Sequence, residues 1–187
     1  MIRILLALLL CAHTAHAATG PRYLPTRDAM ITYRSAGSDP LVPASLSVRF
    51  SADLGRVRIE GVPLGYLLVD APAERVELVM PQPKLVLELP PGGGITEGFL
   101  LGPGLRFIRA GEDRVLGRAC TVYDVSADHD RAHGRVCLTA DGLLLRGEGA
   151  GRDGRTARVE AVEIRQVPQP VGLFSPPDTY RMMALPK

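Results

Sequence analysis

The stretch Arg118–Glu148 (R-A-C-T-V-Y-D-V-S-A-D-H-D-R-A-H-G-R-V-C-L-T-A-D-G-L-L-L-R-G-E) constrains the fold more than any other part of the chain. It reads as three consecutive antiparallel strands, over Gly117–Ser126, Gly134–Thr139 and Leu143–Gly147. Asp141-Gly142 separates the last two. Asp-Gly between apolar runs predicts a two-residue type I′ turn, which needs φ > 0 at both positions. A polar loop separates the first two. Placing Cys120 opposite Cys137 puts Ser126 opposite Arg131 and leaves Ala127–Asp130 as a four-residue loop, a common hairpin length. The cysteines and the loop agree on one register, and together they predict a Cys120–Cys137 cross-strand disulfide.

The N-terminus predicts the compartment. Met1-Ile2-Arg3 is a short positive region, Ile4–Thr14 is apolar, and Ala15-His16-Ala17 is an A-x-A cleavage site. Residues 1–17 therefore read as a cleaved signal peptide, and residues 18–187 as a single domain in the periplasm or outside the cell. An uncleaved anchor is the alternative, but the apolar run is shorter than the ~20 residues a bilayer demands. Cys11 raises lipidation as a second alternative. A lipobox wants small residues before its cysteine, and Leu8-Leu9-Leu10 stand there instead. Cleavage removes Cys11 and leaves an even pair of cysteines, as expected of an exported protein with one disulfide.

Beyond this leader the chain has 21 Lys and Arg against 20 Asp and Glu, and its only lysines are Lys84 and Lys187. The basic residues are scattered singly, with no basic block and no stripe with interleaved aromatics. That excludes nucleic acid and an anionic membrane surface as expected partners. No second long apolar segment follows, so no transmembrane segment is expected after cleavage.

The rest of the chain is organised in short alternating runs. Asp28–Ser35 is strand-like. Ala44–Ser51 sends Leu46, Val48 and Phe50 to one face and Ser45, Ser47, Arg49 and Ser51 to the other. Arg56–Glu60 repeats the pattern with Val57 and Ile59, and Arg75–Met80 with Val76, Leu78 and Met80. Gly65–Ala71 is apolar on both sides, and Lys84–Leu89 carries Leu85, Leu87 and Leu89 on one. Turns rich in Pro, Gly and Asp recur every 8–12 residues, the pattern of an all-β sandwich or open barrel. Pro90–Gly104 breaks the rhythm. Ile95–Leu101 there is an apolar patch between glycine clusters, either a short helix with Thr96 as N-cap or a mobile lid. Leu105–Arg109 is a short strand turned by Ala110–Asp113. Arg155–Gln166 reads as a last strand with a bulge near Ala161, a helix being the alternative. The proline-rich tail Val167–Lys187 reads as irregular, pinned by Leu173, Phe174 and Tyr180.

Chemistry-bearing motifs are sparse. Asp128, His129, Asp130 and His133 form the only cluster of metal-type ligands, and turn-forming loop residues account for it better than a site needing three or four converging ligands. No G-x-S-x-G is present, and Gly92-Gly93-Gly94 lacks the Lys and Ser/Thr of a phosphate loop. The expectation is a protein that is not an enzyme, with no metal and no cofactor.

Three blocks carry a resemblance: L-G-R-A-C-T-V-Y-D-V at 116–125, R-V-C-L-T-A-D-G-L-L-L-R at 135–146 and L-F-S-P-P-D-T-Y-R-M-M at 173–183. In this order, after a signal peptide and short strands, they resemble an exported bacterial branch of the LolA/LolB-like periplasmic carrier superfamily. The resemblance implies a mainly β fold, a curved antiparallel sheet forming a half-open barrel with a short helical or loop lid. It also implies an apolar concave face of the kind that carries acyl chains of lipids or lipoproteins.

The residue pattern gives that face a location. Leu46, Val48, Phe50, Val57, Ile59, Val76, Leu78 and Met80 are expected to share it and to line a ligand site, with Ile95, Phe99, Leu100 and Leu101 as the lid. The second functional class is an envelope protein-protein interaction module with no small ligand, using sheet edges or the tail.

Overall fold

The computed structural model describes residues 20–38, 43–89, 105–127, 133–150 and 154–184. They form one open sheet of twelve strands: β1 Ala29–Gly37, β2 Ser45–Ser51, β3 Arg56–Glu60, β4 Tyr66–Asp70, β5 Arg75–Met80, β6 Leu85–Leu89, β7 Leu105–Val115, β8 Arg118–Ala127, β9 His133–Leu138, β10 Leu144–Ala150, β11 Thr156–Arg165 and β12 Arg181–Ala184. The spatial order is β12-β6-β5-β4-β3-β2-β1-β11-β10-β9-β8-β7. Two meanders, β1–β6 and β7–β11, are thus joined side by side through β1 and β11. The chain leaves the first at β6 and begins the second at β7, the opposite edge strand. This is the mainly β, curved antiparallel sheet that the sequence predicted.

Alternation alone places β2, β3 and β5 correctly. Where the fold departs from expectation, local hydrogen bonding decides. The disulfide is formed, with Cα atoms 5.4 Å apart. Its register is not the expected one: Cys137 lies opposite Val122, and Ser126 pairs with His133 rather than Arg131. The bond therefore runs diagonally. A shift of two residues keeps every side chain on its face, so the hydrophobic pattern cannot tell the two registers apart.

Asp141-Gly142 is not a type I′ turn, because only Gly142 has positive φ, at 89°. Thr139 closes a wider loop instead. Its N–H donates to the Leu143 carbonyl at 2.9 Å, its hydroxyl accepts the Leu143 N–H at 2.8 Å, and its carbonyl accepts the Gly142 N–H at 3.0 Å. The two-residue turn with both φ positive occurs at Leu116 (51°) and Gly117 (73°), between β7 and β8. Correspondingly, Ala110–Asp113 is no turn. It is part of the eleven-residue β7, which steps past a bulge between Arg109 and Gly111.

β11 is a strand and not a helix. Its bulge falls at Val162, left over between Glu163, opposite Thr32, and Ala161, opposite Tyr33. That one extra residue explains the phase slip that the sequence showed near Ala161.

The tail is more ordered than its prolines implied. It crosses the back of β2–β4 with a 3₁₀ turn at Val171–Phe174 and ends as β12, which pairs in parallel with β6. Backbone and side-chain donors hold it down. Asp28 accepts the Ala52 N–H at 2.8 Å and the Gln169 N–H at 2.7 Å, Arg49 donates to Gln169, and Arg58 donates to the Leu173 carbonyl at 3.2 Å. Phe174 is buried, and Tyr180 packs on Leu68, Val79 and Val86.

Candidate functional site

The register lines up apolar residues in rows across the first meander. Directly opposed antiparallel residues share a face. One row runs Ala29, Phe50, Val57, Val69, Val76, Leu89. The next runs Ile164, Ile31, Val48, Ile59, Leu67, Leu78, Leu87. A third begins Ala161, Tyr33, Leu46 on β11, β1 and β2 and resumes at Met80 and Leu85 on β5 and β6. All eight residues expected on this face fall in these rows. Leu46, Phe50, Val57, Ile59, Val76 and Leu78 are buried members of one cluster, and Val48 and Met80 are partly buried against it.

Residues beyond the expected eight complete the face. Ile31, Tyr33, Leu67 and Val69 belong to the same cluster, as do Val115, Cys120, Cys137, Leu143 and Leu145 from the second meander. The disulfide therefore packs into the same interior as the rows. Strand pairing was the missing signal: β4 reads as apolar on both sides in sequence, and only its register with β3 and β5 shows which residues turn inward.

Burial along the rows is graded. In the middle row, Leu67 on β4 is 1 % exposed and Leu78 on β5 is 9 % exposed, whereas Leu87 on β6 is only half-buried. Leu85, Leu89 and Met80 are half-buried as well. The rows are buried on β3, β4 and most of β5; they are half-buried on β6, and also at Val48 on β2 and Ile164 on β11.

The outward side of β4–β6 is covered in part by the tail. Tyr180 covers Leu68, Val79 and Val86 there, and Arg58 lies over the Tyr66 ring with its guanidinium carbon 3.6 Å from the centroid. The expected lid residues Ile95, Phe99, Leu100 and Leu101 lie outside the described residues, as do the cleavage site and Asp128, His129 and Asp130. Among the described residues no group of three or more His, Cys, Asp or Glu is placed to hold a metal. No helix among them is long and apolar enough to cross a membrane.

Charge is concentrated on the second meander. Arg146 bridges Asp113 at 2.5 Å and Glu160 at 2.7 Å, and Arg158 joins Glu160 at 3.2 Å. The backbone N–H of Arg114 and the Arg146 guanidinium hold the Asp113 carboxyl below its usual range, and Arg146 does the same to Glu160. Burial pushes Asp141 up, but hydrogen bonds from Thr139 and Gln166 outweigh it and leave that carboxyl low. Arg146 and Glu160 are direct cross-strand neighbours; Asp113 reaches Arg146 from β7, and Arg158 lies two residues from Glu160 on β11.

No family model and no curated protein matches the chain. Solved structures do resemble it in fold. An uncharacterised conserved protein from Thermus thermophilus aligns with a TM-score of 0.53 at 13 % identity, over 86 % of this chain and 91 % of that one. PNGF-II aligns with a TM-score of 0.52 at 12 % identity, over 85 % of this chain but only 31 % of that one. A putative outer membrane lipoprotein-sorting protein domain from Vibrio parahaemolyticus aligns with a TM-score of 0.41 at 13 % identity, over 79 % and 89 % of the two chains. The similarity is one of fold: an open, curved β sheet.

Proposed function

We propose that this chain is an exported, non-enzymatic binding protein whose inward sheet face takes an apolar ligand, an acyl chain of a lipid or lipoprotein. The observation that carries this reading is the grading of the apolar rows, from fully buried on β4 to half-exposed on β6. A sheet with only a structural core has no need to continue three apolar rows onto strands where water reaches them. A long, flexible hydrocarbon gains about 0.8 kcal/mol for each CH₂ it buries against such a surface. Met80, opposite Leu85 in the third row, adds an adaptable side chain suited to an irregular aliphatic surface. Entry is on the β6 side, where Leu85, Leu87, Leu89 and Met80 are half-buried and within a ligand's reach. The disulfide, buried beside these rows, supports an oxidising compartment, in keeping with a leader over residues 1–17.

Leu87→Asp tests this reading. It places a charge where the row is half-buried while leaving the fully buried residues intact. An apolar fluorescent probe should bind the parent protein and lose at least tenfold in affinity for the variant. Leu116→Asp, at an exposed turn on the other meander, should bind as the parent does. Equal probe affinity in all three proteins, or none in any, contradicts the proposal.

A further inference from the structure

The two edges of the sheet differ in a way that the apolar-ligand reading does not use. The β7 edge is guarded. It carries Arg106, Arg109, Glu112, Asp113 and Arg114, and a bulge interrupts it at Ala110. Charges and bulges are devices that stop an edge from pairing with another chain. The β12 edge has one charge, Arg181, followed by Met182 and Met183, which are 54 % and 51 % exposed. Successive strand residues point to opposite faces, so β12 is uncovered on both sides.

β12 is also an addition to the sheet. It makes the only parallel pairing among the described residues, and it arrives from a tail whose last packed side chain before the strand is Tyr180. In register, Met183 lies beside Leu87 and extends the inward row, and Met182 lies beside Val86 and extends the outward apolar cluster. The Arg181 N–H donates to the Lys84 carbonyl at 3.1 Å. In a parallel ladder this makes Arg181 and Met183 the residues that bond to β6, while the backbone groups of Met182 and Ala184 point away from it.

We infer that the edge of β6 that β12 covers is a strand-docking site for an extended polypeptide segment with consecutive apolar residues, and that β12 is its built-in occupant. The chemistry of the occupant follows from the two apolar faces that meet at this edge. A segment lying there presents one side chain to Leu87 and the next to Val86, so both must be apolar. The segment in place supplies them with two methionines, which remain half in water. Parallel pairing over four residues with so little side-chain burial is a weak hold, and a partner segment with a longer apolar run displaces it. This is strand addition, in which main-chain hydrogen bonds give affinity and alternate side chains give specificity.

The direction of each amide makes the test specific. The probe is a fluorescently labelled peptide of the chain's own residues 178–187, added to the intact protein and read by anisotropy. Met183→Pro removes an N–H that bonds to β6 and releases β12, and peptide affinity should rise at least tenfold. Met182→Pro removes an outward N–H only, and affinity should stay at the parent level. Met183→Asp serves as a second releasing variant that leaves the backbone donor in place. Hydrogen exchange at the Val86 and Glu88 amides, the donors that β6 offers, reports whether the edge is open. Free exchange there without any gain in peptide binding overturns the inference, as does an equal gain from Met182→Pro. Neither outcome depends on whether an acyl chain binds the inward face.

Discussion

The Tyr33 hydroxyl on β1 donates to the Leu144 carbonyl on β10 at 2.7 Å, reaching past the intervening strand β11. Ala161 stands opposite Tyr33 on that strand, and its small side chain leaves room for the ring to pass. The bond ties the two meanders together where the β10 register steps past Leu145. Burial pushes the Tyr33 phenol well above its ordinary range, so it stays a neutral donor. Tyr33→Phe leaves the Leu144 carbonyl without this partner and should cost about 1–3 kcal/mol of stability, measured as a shift in urea midpoint. An unchanged midpoint would show that the bond holds nothing.

The Cys120–Cys137 bond closes a loop with a sequence separation of 17 residues. Cross-linking a loop of this size should stabilise the protein by about 3 kcal/mol. Denaturation of the Cys120→Ala, Cys137→Ala double variant should show that loss, and reduction of the parent should lower its stability in the same direction. A double variant as stable as the parent contradicts this expectation.

Much of this fold was legible because period-two alternation is strong in β2, β3 and β5, and each has Ser, Arg or Glu on its outward face. The eight inward residues followed from that alone. What could not be read was register. A shift of two residues at Cys120 and Cys137 changes no face, so only the loop after Ser126 could decide it. Turn type was missed for a related reason: Leu116-Gly117 is an unusual pair for a type I′ turn, while Thr139 overrides the Asp-Gly signal at 141–142 by hydrogen bonding to Leu143. The tail misled because β12 is four residues long and pairs in parallel, with no alternation of its own to reveal it. The half-burial of the rows on β6 was invisible for the same reason, since burial along a row depends on which strands come last in the sheet.

Acid should weaken the fold through the Arg146 pairs. Asp113 and Glu160 have folded-state pKa values below their ordinary 3.8 and 4.5. In the unfolded chain they take up protons first, so their contribution is complete above the ordinary values and is lost as the pH falls through the lower folded ones. The urea midpoint should be flat near neutrality and fall below about pH 4.5. Arg146→Met should lower stability near neutrality and flatten the acid slope. An unchanged slope would show that Arg146 does not set these carboxyl groups.

Acyl-chain binding by the inward face is tested most directly by native mass spectrometry of the protein purified from the periplasm without delipidation. The predicted result is a chain starting at Ala18 that carries one adduct of lipid mass, removed by organic extraction and restored by adding a long-chain fatty acid. A bare chain that stays bare after the fatty acid is added would contradict it.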